Sequence, residues 1–266
     1  MFSDPLKPAY WLTIFIAGIA TVACAGGIFS KDLYRDSEFI KTAWFGNDIV
    51  TLSIAIPLLL VALAFARKGS QRAQLVWMGL LGYMVYNYAF YLFGAAFNAF
   101  FLLYILLFSM SVYALAIGLF NLDVAGISQR FSSKTPVKAL GIYLLLVSLP
   151  LGIFELSQCM RSIISGETPQ IPSLIFALDL SVVVPTTALA AILLWRHQAW
   201  GYILGAMMLI KAFTYGMVLS FSTALLAGFR LSGTWDPLMP FYVFVALGGL
   251  AGSYVLLSHL KPVSHT

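Results

Sequence analysis

The sequence predicts an all-α membrane protein, a polytopic bundle of about eight transmembrane helices that together form a single transmembrane domain over residues 1–266. Of these 266 residues, 61% are hydrophobic and only 9% are charged, whereas about a quarter of the residues in a soluble domain are charged. The apolar residues also occur in long windows. A helix needs about 20 such residues to cross a bilayer core of roughly 30 Å, and the short alternating segments of a transmembrane β-barrel are missing from the sequence.

Eight windows are long enough to span a membrane. They cover residues 9–29, 48–66, 73–94, 98–120, 139–158, 173–195, 201–226 and 240–260. Only a short turn around residues 93–98 separates the third window from the fourth, so seven spans remain an alternative, although each half is long enough to cross alone. The apolar run before Ala23-Cys24-Ala25-Gly26 is too long for a cleaved signal peptide, and we expect the first span to be retained.

The distribution of Lys and Arg predicts the orientation of the chain. Cytoplasmic loops of membrane proteins are enriched in these residues. With the N-terminus inside, nine of them lie on the inner side and five on the outer side: Lys7, Arg67, Lys68, Arg72, Arg130, Lys134, Lys138, Arg196 and Lys261 against Lys31, Arg35, Lys41, Arg161 and Arg230. We therefore expect both termini inside. Topology then explains the net charge of +5, and we expect no nucleic-acid partner.

A weak internal symmetry appears when the chain is divided into halves 1–125 and 126–266. An acid, a proline and an arginine follow one another in each half, as Asp48, Pro57 and Arg67 and as Asp179, Pro185 and Arg196. The spacing from proline to arginine is similar in the two halves, but the spacing from acid to proline differs. The pattern predicts a parallel four-plus-four repeat, an arrangement known among transporters. The alternative is that membrane helices simply share Leu, Ala and Pro.

Four ionisable residues fall within or at the ends of the predicted spans: Asp48, Glu155, Asp179 and Lys211. A charge in a bilayer costs about 2.5–3.5 kcal/mol or more, so each is a candidate for substrate or ion binding. Asp48 would lie at the outer boundary, and Lys211 close to the midplane. Structural explanations stay open, with Asp48 as a helix N-cap and Glu155 as a group that reaches interfacial water.

A polar stripe runs along the third span. Tyr83, Asn87 and Tyr91 recur every four residues and therefore share one face of a helix. Together with the acids they predict a polar cavity that opens to the outer side. Hydrogen bonding between helices is the alternative use for such a stripe.

Several function classes are excluded by what the sequence lacks. The only histidines, His197, His259 and His265, lie at predicted cytoplasmic ends, which argues against haem ligation and zinc-dependent hydrolysis. A P-loop for ATP is also missing from the sequence. We therefore expect no cofactor, no metal site and no catalytic residue.

Three strings carry a resemblance to known proteins. They are Leu33-Tyr34-Arg35-Asp36, Gly46-Asn47-Asp48-Ile49-Val50-Thr51 and residues 86–94, which read YNYAFYLFG. The chain resembles bacterial multi-pass membrane proteins of unknown function in these strings. The resemblance implies a bacterial inner (plasma) membrane location and carries no activity.

We interpret the chain as a small-molecule or ion-coupled transporter surrounded by membrane lipids. In this hypothesis Asp179 is the coupling acid, Lys211 compensates charge or binds an anion, and the polar stripe orients a small-molecule or ion ligand. One alternative is a non-catalytic sensor or partner subunit that contacts another protein through the 30–47 loop. A second is an intramembrane enzyme that modifies a lipid with Glu155 or Asp179 as acid or base.

Overall fold

Each of the eight apolar windows forms a long helix in the structure, a computed structural model that describes residues 5–30, 32–169, 172–228 and 236–261. Within these ranges, eight helices are long and apolar enough to cross a membrane: Lys7–Phe29, Ile40–Arg67, Gln71–Gly94, Phe101–Phe120, Val137–Ser165, Ser173–Trp195, Ala199–Gly228 and Met239–Ser258. The same ranges contain no β-strand. The chain is thus all-helical, and its helices are compatible with a multi-pass membrane protein.

Two of these helices are interrupted by a π-helical turn. In chain order the elements are α1 (Lys7–Phe29), α2 (Glu38–Val50), π1 (Thr51–Ala55), α3 (Ile56–Arg67), α4 (Gln71–Gly94), α5 (Phe101–Phe120), α6 (Val124–Gln129), α7 (Val137–Ser165), α8 (Ser173–Leu178), π2 (Asp179–Val183), α9 (Val184–Trp195), α10 (Ala199–Gly228) and α11 (Met239–Ser258). The segments α2, π1 and α3 form one continuous span, as do α8, π2 and α9.

The second span begins earlier than the sequence predicted. Its helix starts at Glu38, with Ser37 in an extended conformation before it, whereas the hydropathy window starts at residue 48. The stretch from Glu38 to Asn47 contains charged and amide side chains, which lower its hydropathy, but no proline interrupts it. Hydropathy therefore marked the apolar part of a longer helix.

The chain divides into two compact units. Unit 1 comprises Met1–Leu122 and Ile210–Ala251, and unit 2 comprises Asp123–Leu209 and Gly252–Thr266. The predicted division into sequence halves stays a prediction, as does the inward orientation of both termini. Lys31 and Arg230, which entered the prediction of orientation, lie outside the described residues, as does His265, which entered the argument against haem and zinc.

Unit 1 is built around α1 and α4. Helix α1 packs against α2, α3 and α5, and α4 packs against α3 and α5. Glycines permit close helix contacts, because a Cβ atom at Gly46 would overlap Ser222 and one at Gly79 would lie 2.8 Å from Ile210. Helix α4 is the most buried span of the chain, with 78% of its most apolar window inside the structure. Its side chains are therefore the natural place to look for a buried site.

Unit 2 is organised by the contact between α7 and α9. Gly141 makes room for the indole of Trp195, whose Nε1 donates to the carbonyl oxygen of Lys138 at 3.2 Å. A short antiparallel bridge joins Phe131 to Leu260. The ring of Phe131 also stacks on a tyrosine, Tyr202, with centroids 4.4 Å apart.

Large apolar side chains are exposed on the helices of both units. On α1, Trp11, Phe15 and Val22 are each more than half exposed, and on α7 the same holds for Ile153 and Ile163. A soluble monomer rarely exposes extended apolar surface of this kind. Lipid is the solvent that suits these faces, because helices satisfy their backbone hydrogen bonds internally.

Candidate functional site

The best-defined polar site of the chain surrounds Asp48 in unit 1. Asp48 lies ten residues, or about 15 Å, beyond the start of its helix at Glu38. The interpretation of Asp48 as a helix N-cap was therefore wrong, because an N-cap precedes the first turn. The side chain of Asp48 is instead buried, with 2% of its surface exposed.

Two tyrosine hydroxyls hold the carboxylate of Asp48. Tyr34 donates to Oδ2 at 2.5 Å, and Tyr91 donates to Oδ1 at 2.8 Å. Within the described residues, no Lys or Arg nitrogen lies within 4.0 Å of this carboxylate. Asp48 is therefore a buried acid that is stabilised by neutral donors and not by an ion pair.

Asn47, which precedes Asp48 in α2, is hydrogen-bonded to the polar stripe of α4. Its Nδ2 donates to Oδ1 of Asn87 at 2.7 Å and to the hydroxyl of Tyr91 at 3.2 Å. Its Oδ1 accepts from Tyr83 at 3.3 Å, and Tyr83 also shares a 2.7 Å hydrogen bond with Thr51. The structure thus brings Tyr83, Asn87 and Tyr91 together with Asn47 and Asp48 in one buried network.

One polar group of this network has no hydrogen-bond partner among the residues that the structure describes. Oδ1 of Asn87 accepts from Asn47, but its Nδ2 is buried and makes no hydrogen bond. A buried donor left unsatisfied costs about 1–3 kcal/mol. Asn87 is therefore the member of the stripe that retains a donor for a ligand, whereas the two tyrosine hydroxyls are engaged within the protein.

Helix α1 also packs against the site. A Cβ atom at Gly27 would overlap both the carboxylate of Asp48 and the hydroxyl of Tyr34. One turn earlier, Sγ of Cys24 lies 4.0 Å from the hydroxyl of Tyr88. The absence of a side chain at Gly27 is thus what allows Tyr34 to reach Asp48.

Tyr34 comes from the connection between α1 and α2, and it is 5% exposed. Burial, together with the neighbouring carboxylate of Asp48, holds the pKa of Tyr34 well above its usual range. Its phenol therefore stays protonated at neutral pH and acts as a hydrogen-bond donor. Trp44, from the same predicted 30–47 loop, is also buried, and its ring packs on Tyr91 with centroids 4.7 Å apart.

Lys211 lies in unit 1 among aromatic rings. Its Nζ is 3.8 Å from the ring centroid of Tyr86 and 4.8 Å from that of Tyr215. The two rings meet edge to face, with centroids 4.9 Å apart. Cation–π attraction of this kind stabilises a buried ammonium group, and Lys211 is 8% exposed.

The other two candidates, Glu155 and Asp179, lie in unit 2. Both are buried, with 3% and 4% of their surfaces exposed. Asp179 is the first residue of π2, which packs against the helix α7 that carries Glu155. A Cβ atom at Gly152, three residues before Glu155, would lie 2.9 Å from Val184 of α9. Their predicted place in a ligand cavity stays a prediction.

Sequence reasoning did not select several members of the Asp48 network. Tyr34 and Thr51 carry no charge, and Asn47 entered only as part of a string that carries the family resemblance. A signal did exist in the string Asn47-Asp48 with Thr51 four residues after Asn47, because those positions share a helix face. Tyr34 offered no such signal, since it precedes the helix and its position depends on the path of the chain.

Comparison of the chain with protein-family models, with curated proteins and with solved structures found no match. The resemblance to bacterial multi-pass membrane proteins therefore stays a prediction. Any functional conclusion depends on the geometry of the chain itself.

Proposed function

We propose that this protein is a multi-pass membrane transporter that couples the movement of a small solute to proton binding at Asp48. The observation that carries the proposal is the buried carboxylate of Asp48, which two tyrosine hydroxyls hold. An acid inside a membrane protein is costly, and such acids serve as proton relays in pumps and transporters. Asp179, Lys211 and Glu155 remain candidates for substrate or ion binding, and the proton-coupling role first predicted for Asp179 passes to Asp48 in this proposal.

The hydrogen bonds around Asp48 suit a carboxyl group that gains and loses a proton. A tyrosine hydroxyl can donate one hydrogen bond and also accept. The hydroxyl of Tyr91 has two acceptors within reach, Oδ1 of Asp48 at 2.8 Å and the carbonyl oxygen of Trp44 at 3.4 Å. When Oδ1 takes up a proton, it donates to Tyr91, whose own hydroxyl turns to Trp44. Both protonation states are thus hydrogen-bonded.

The solute would bind next to this network through Asn87. Its free Nδ2 donor suits an acceptor oxygen on a small polar molecule. Asn47 donates both to Asn87 and to Tyr91, so it links the solute group to the proton group. This link is the physical basis on which proton binding and solute binding would influence each other.

A pH-jump measurement tests the proton-binding step without knowledge of the solute. Purified protein in liposomes is adsorbed on a solid-supported membrane, and the transient current that follows a sudden acidification is recorded. We expect a transient in the wild type and its loss in Asp48→Asn, which keeps the size of the side chain but cannot ionise. The matched control is Glu38→Gln, because Glu38 lies on the same helix but is exposed and paired with Lys41.

An equal transient in wild type and Asp48→Asn would overturn the role of Asp48. A transient that Glu38→Gln also abolishes would mean that the signal comes from surface charge. Uptake of labelled amino acids, organic acids, sugars and nucleosides into the same liposomes, driven by a pH gradient, then identifies the solute class. Asn87→Leu should reduce that uptake while leaving the pH-jump transient in place.

The non-catalytic sensor or partner subunit remains the second candidate. The observation that favours it is the closure of the network, in which Tyr34, Tyr83 and Tyr91 hydrogen-bond within the protein. A network used only for stability would hold the helices in place and show no charge movement. The same pH-jump experiment separates the two candidates, because a sensor of this kind gives no transient in any variant.

A further inference from the structure

The two π-helical turns are related by one constant offset along the chain. Both contain five residues, and π1 begins at Thr51 whereas π2 begins at Asp179, 128 positions later. In π1 the N–H of Ile56 donates to the carbonyl of Thr51, and in π2 the N–H of Val184 donates to the carbonyl of Asp179. A π-turn is rare and usually stands alone, so two at equivalent positions require an explanation.

The backbone that follows each π-turn repeats at the same offset. Helix α3 covers Ile56–Arg67 and α9 covers Val184–Trp195, each with proline as its second residue. Two residues after each helix, Gly69 and His197 have left-handed φ angles of 85° and 51°. The next helices, α4 and α10, begin at Gln71 and Ala199, again 128 positions apart.

Hydrogen bonds of the loop between the helices repeat as well. Gly69 donates to the carbonyl of Ala66 at 2.9 Å, and His197 donates to that of Leu194 at 2.9 Å. A left-handed conformation costs a residue other than glycine roughly 1–2 kcal/mol. His197 therefore adopts a conformation for which it is poorly suited, as expected if the turn was inherited and glycine later lost.

Side-chain environments follow the same offset. Ser53 and Ser181 each donate to the carbonyl four residues earlier. Four buried positions of the two helices also coincide: Leu59, Ala62, Leu63 and Ala66 correspond to Thr187, Ala190, Ala191 and Leu194. The fifth buried residue of α3, Ile56, corresponds to the partly exposed Val184. Between residues 51–71 and 179–199 the identical pairs are few: Leu52 and Leu180, Ser53 and Ser181, Pro57 and Pro185, and Ala62 and Ala190. The two segments are therefore alike in backbone conformation, although few of their residues are identical.

We propose that residues 51–71 and 179–199 are two copies of one structural unit, and that the π-turn of each copy is a hinge in its helix. A π-turn contains one residue more than an α-helical turn, and its hydrogen bonds are less favourable. Pro57 and Pro185 follow two residues after the turns and have no N–H, which leaves a carbonyl of each turn without its backbone donor. Bends in helices occur at such positions.

Each hinge lies beside a buried acid. Asp48 precedes π1 by three residues, and Asp179 is the first residue of π2. Bending at a hinge would move the acid relative to the side chains that surround it. The hinge itself is independent of the proposed transport function, and only the purpose of the motion rests on it.

Hydrogen–deuterium exchange of the wild-type protein in nanodiscs tests the hinges directly. Amides of residues 51–56 and 179–184 should exchange at least tenfold faster than those of residues 59–66 and 187–194 in the same two spans. The hinge is wrong if both pairs of segments exchange at the same rate. Exchange is measured whatever the protein transports, so a failed transport assay leaves this result intact.

Deletion variants test why the π-turns exist. Removing Ile54 or Val182 converts the hydrogen bond across the turn from i→i+5 to i→i+4. The side chains before and after the turn then keep the helix faces that they occupy in the wild type. These variants should fold with a melting temperature close to that of the wild type and exchange slowly at residues 51–56 or 179–184. The matched controls are deletions of Val61 and Leu189, which are exposed residues at equivalent positions in α3 and α9. Each of these deletions rotates the rest of its helix by about 100° and should therefore prevent folding.

Two outcomes of the deletion series would overturn the proposal. If removal of Ile54 is as disruptive as removal of Val61, the π-turn does not hold a removable extra residue. If only one of the two π-turns tolerates the deletion, the two segments are not copies of one unit. If both deletion variants fold normally but still exchange fast at the π-turns, the hinge is contradicted and the duplication of the two segments is not.

Discussion

The hydroxyl of Tyr34 lies 2.5 Å from Oδ2 of Asp48, although the two residues belong to different segments of the chain. Tyr34 comes from the connection that precedes α2, and Asp48 lies near the end of α2. The hydrogen bond therefore ties the connection between α1 and α2 to the buried acid. Any change that weakens it should affect both the stability of unit 1 and the state of Asp48.

Tyr34→Phe removes the hydroxyl and leaves Oδ2 of Asp48 without its donor. A hydrogen bond to a charged group contributes about 1.5–3 kcal/mol, so we expect a loss of that size in the free energy of unfolding. Thermal or denaturant unfolding in detergent micelles measures it. Tyr113→Phe is the control, because Tyr113 is 66% exposed and its change should be close to zero. Equal effects of the two substitutions would contradict the prediction.

Alkaline pH should destabilise the protein in part through Tyr34. Its pKa in the folded state lies above the ordinary value, so the unfolded chain loses the phenolic proton first, near pH 10. The stabilising contribution of the Tyr34 phenol to the free energy of unfolding is fully present below pH 10. Above pH 10 this contribution falls by about 1.4 kcal/mol per pH unit. The slope of stability against pH above pH 10 should therefore be smaller in Tyr34→Phe. Parallel slopes in the two proteins would disprove this assignment.

Gly27→Ala should destabilise unit 1 by about 2 kcal/mol or more. The new Cβ would overlap the Asp48 carboxylate and the Tyr34 hydroxyl, and overpacking of a buried site typically costs 1–3 kcal/mol. Gly18→Ala in the same helix is the matched control, since nothing lies within 4 Å of its Cβ position. Alanine is a better helix former than glycine by about 1 kcal/mol, so Gly18→Ala should be neutral or stabilising. The prediction fails if both variants unfold at the same temperature.

The contact between Lys211 and Tyr86 should depend on the aromatic ring and not on the hydroxyl. Tyr86→Phe keeps the ring face 3.8 Å from Nζ, whereas Tyr86→Leu removes it. We expect Tyr86→Leu to be less stable than Tyr86→Phe by about 0.5–2 kcal/mol beyond the loss of packing. Repeating both substitutions in a Lys211→Met background isolates the cation–π part. A difference that persists unchanged in that background would assign the effect to packing alone.

The sequence predicted the helices well and two boundaries poorly: the start of α2, and the end of α7 at Ser165, seven residues beyond its window. Spans such as Ser173–Trp195 and Gln71–Gly94 agree with their windows to within two residues, because a bilayer core demands a run of apolar residues. The start of α2 was wrong by ten residues, because helix formation at Glu38 depends on the backbone and on packing, which hydropathy does not measure. The interpretation of Asp48 as an N-cap failed for the same reason.

The Asp48 site could be predicted only in part. Helical spacing placed Tyr83, Asn87 and Tyr91 on one face, since that follows from the 3.6-residue period of α4. Tyr34 and Gly27 could not be found in this way, because their contribution depends on how a connection folds back and how closely α1 approaches α2. The predicted repeat paired Arg196 with Arg67, whereas the 128-residue offset between π1 and π2 aligns Arg196 with Lys68.

The sequence by itself determined that the chain forms eight long apolar helices, because that property depends only on residues adjacent in the chain. The tertiary structure alone decided that Asp48 is the acid held by Tyr34 and Tyr91, and that π-turns interrupt two spans at Thr51 and at Asp179. The physical reason is that a hydrogen bond between side chains depends on angstrom-scale distances between separate segments. Hydropathy and periodicity describe each segment alone, and they carry no information about which partner it meets.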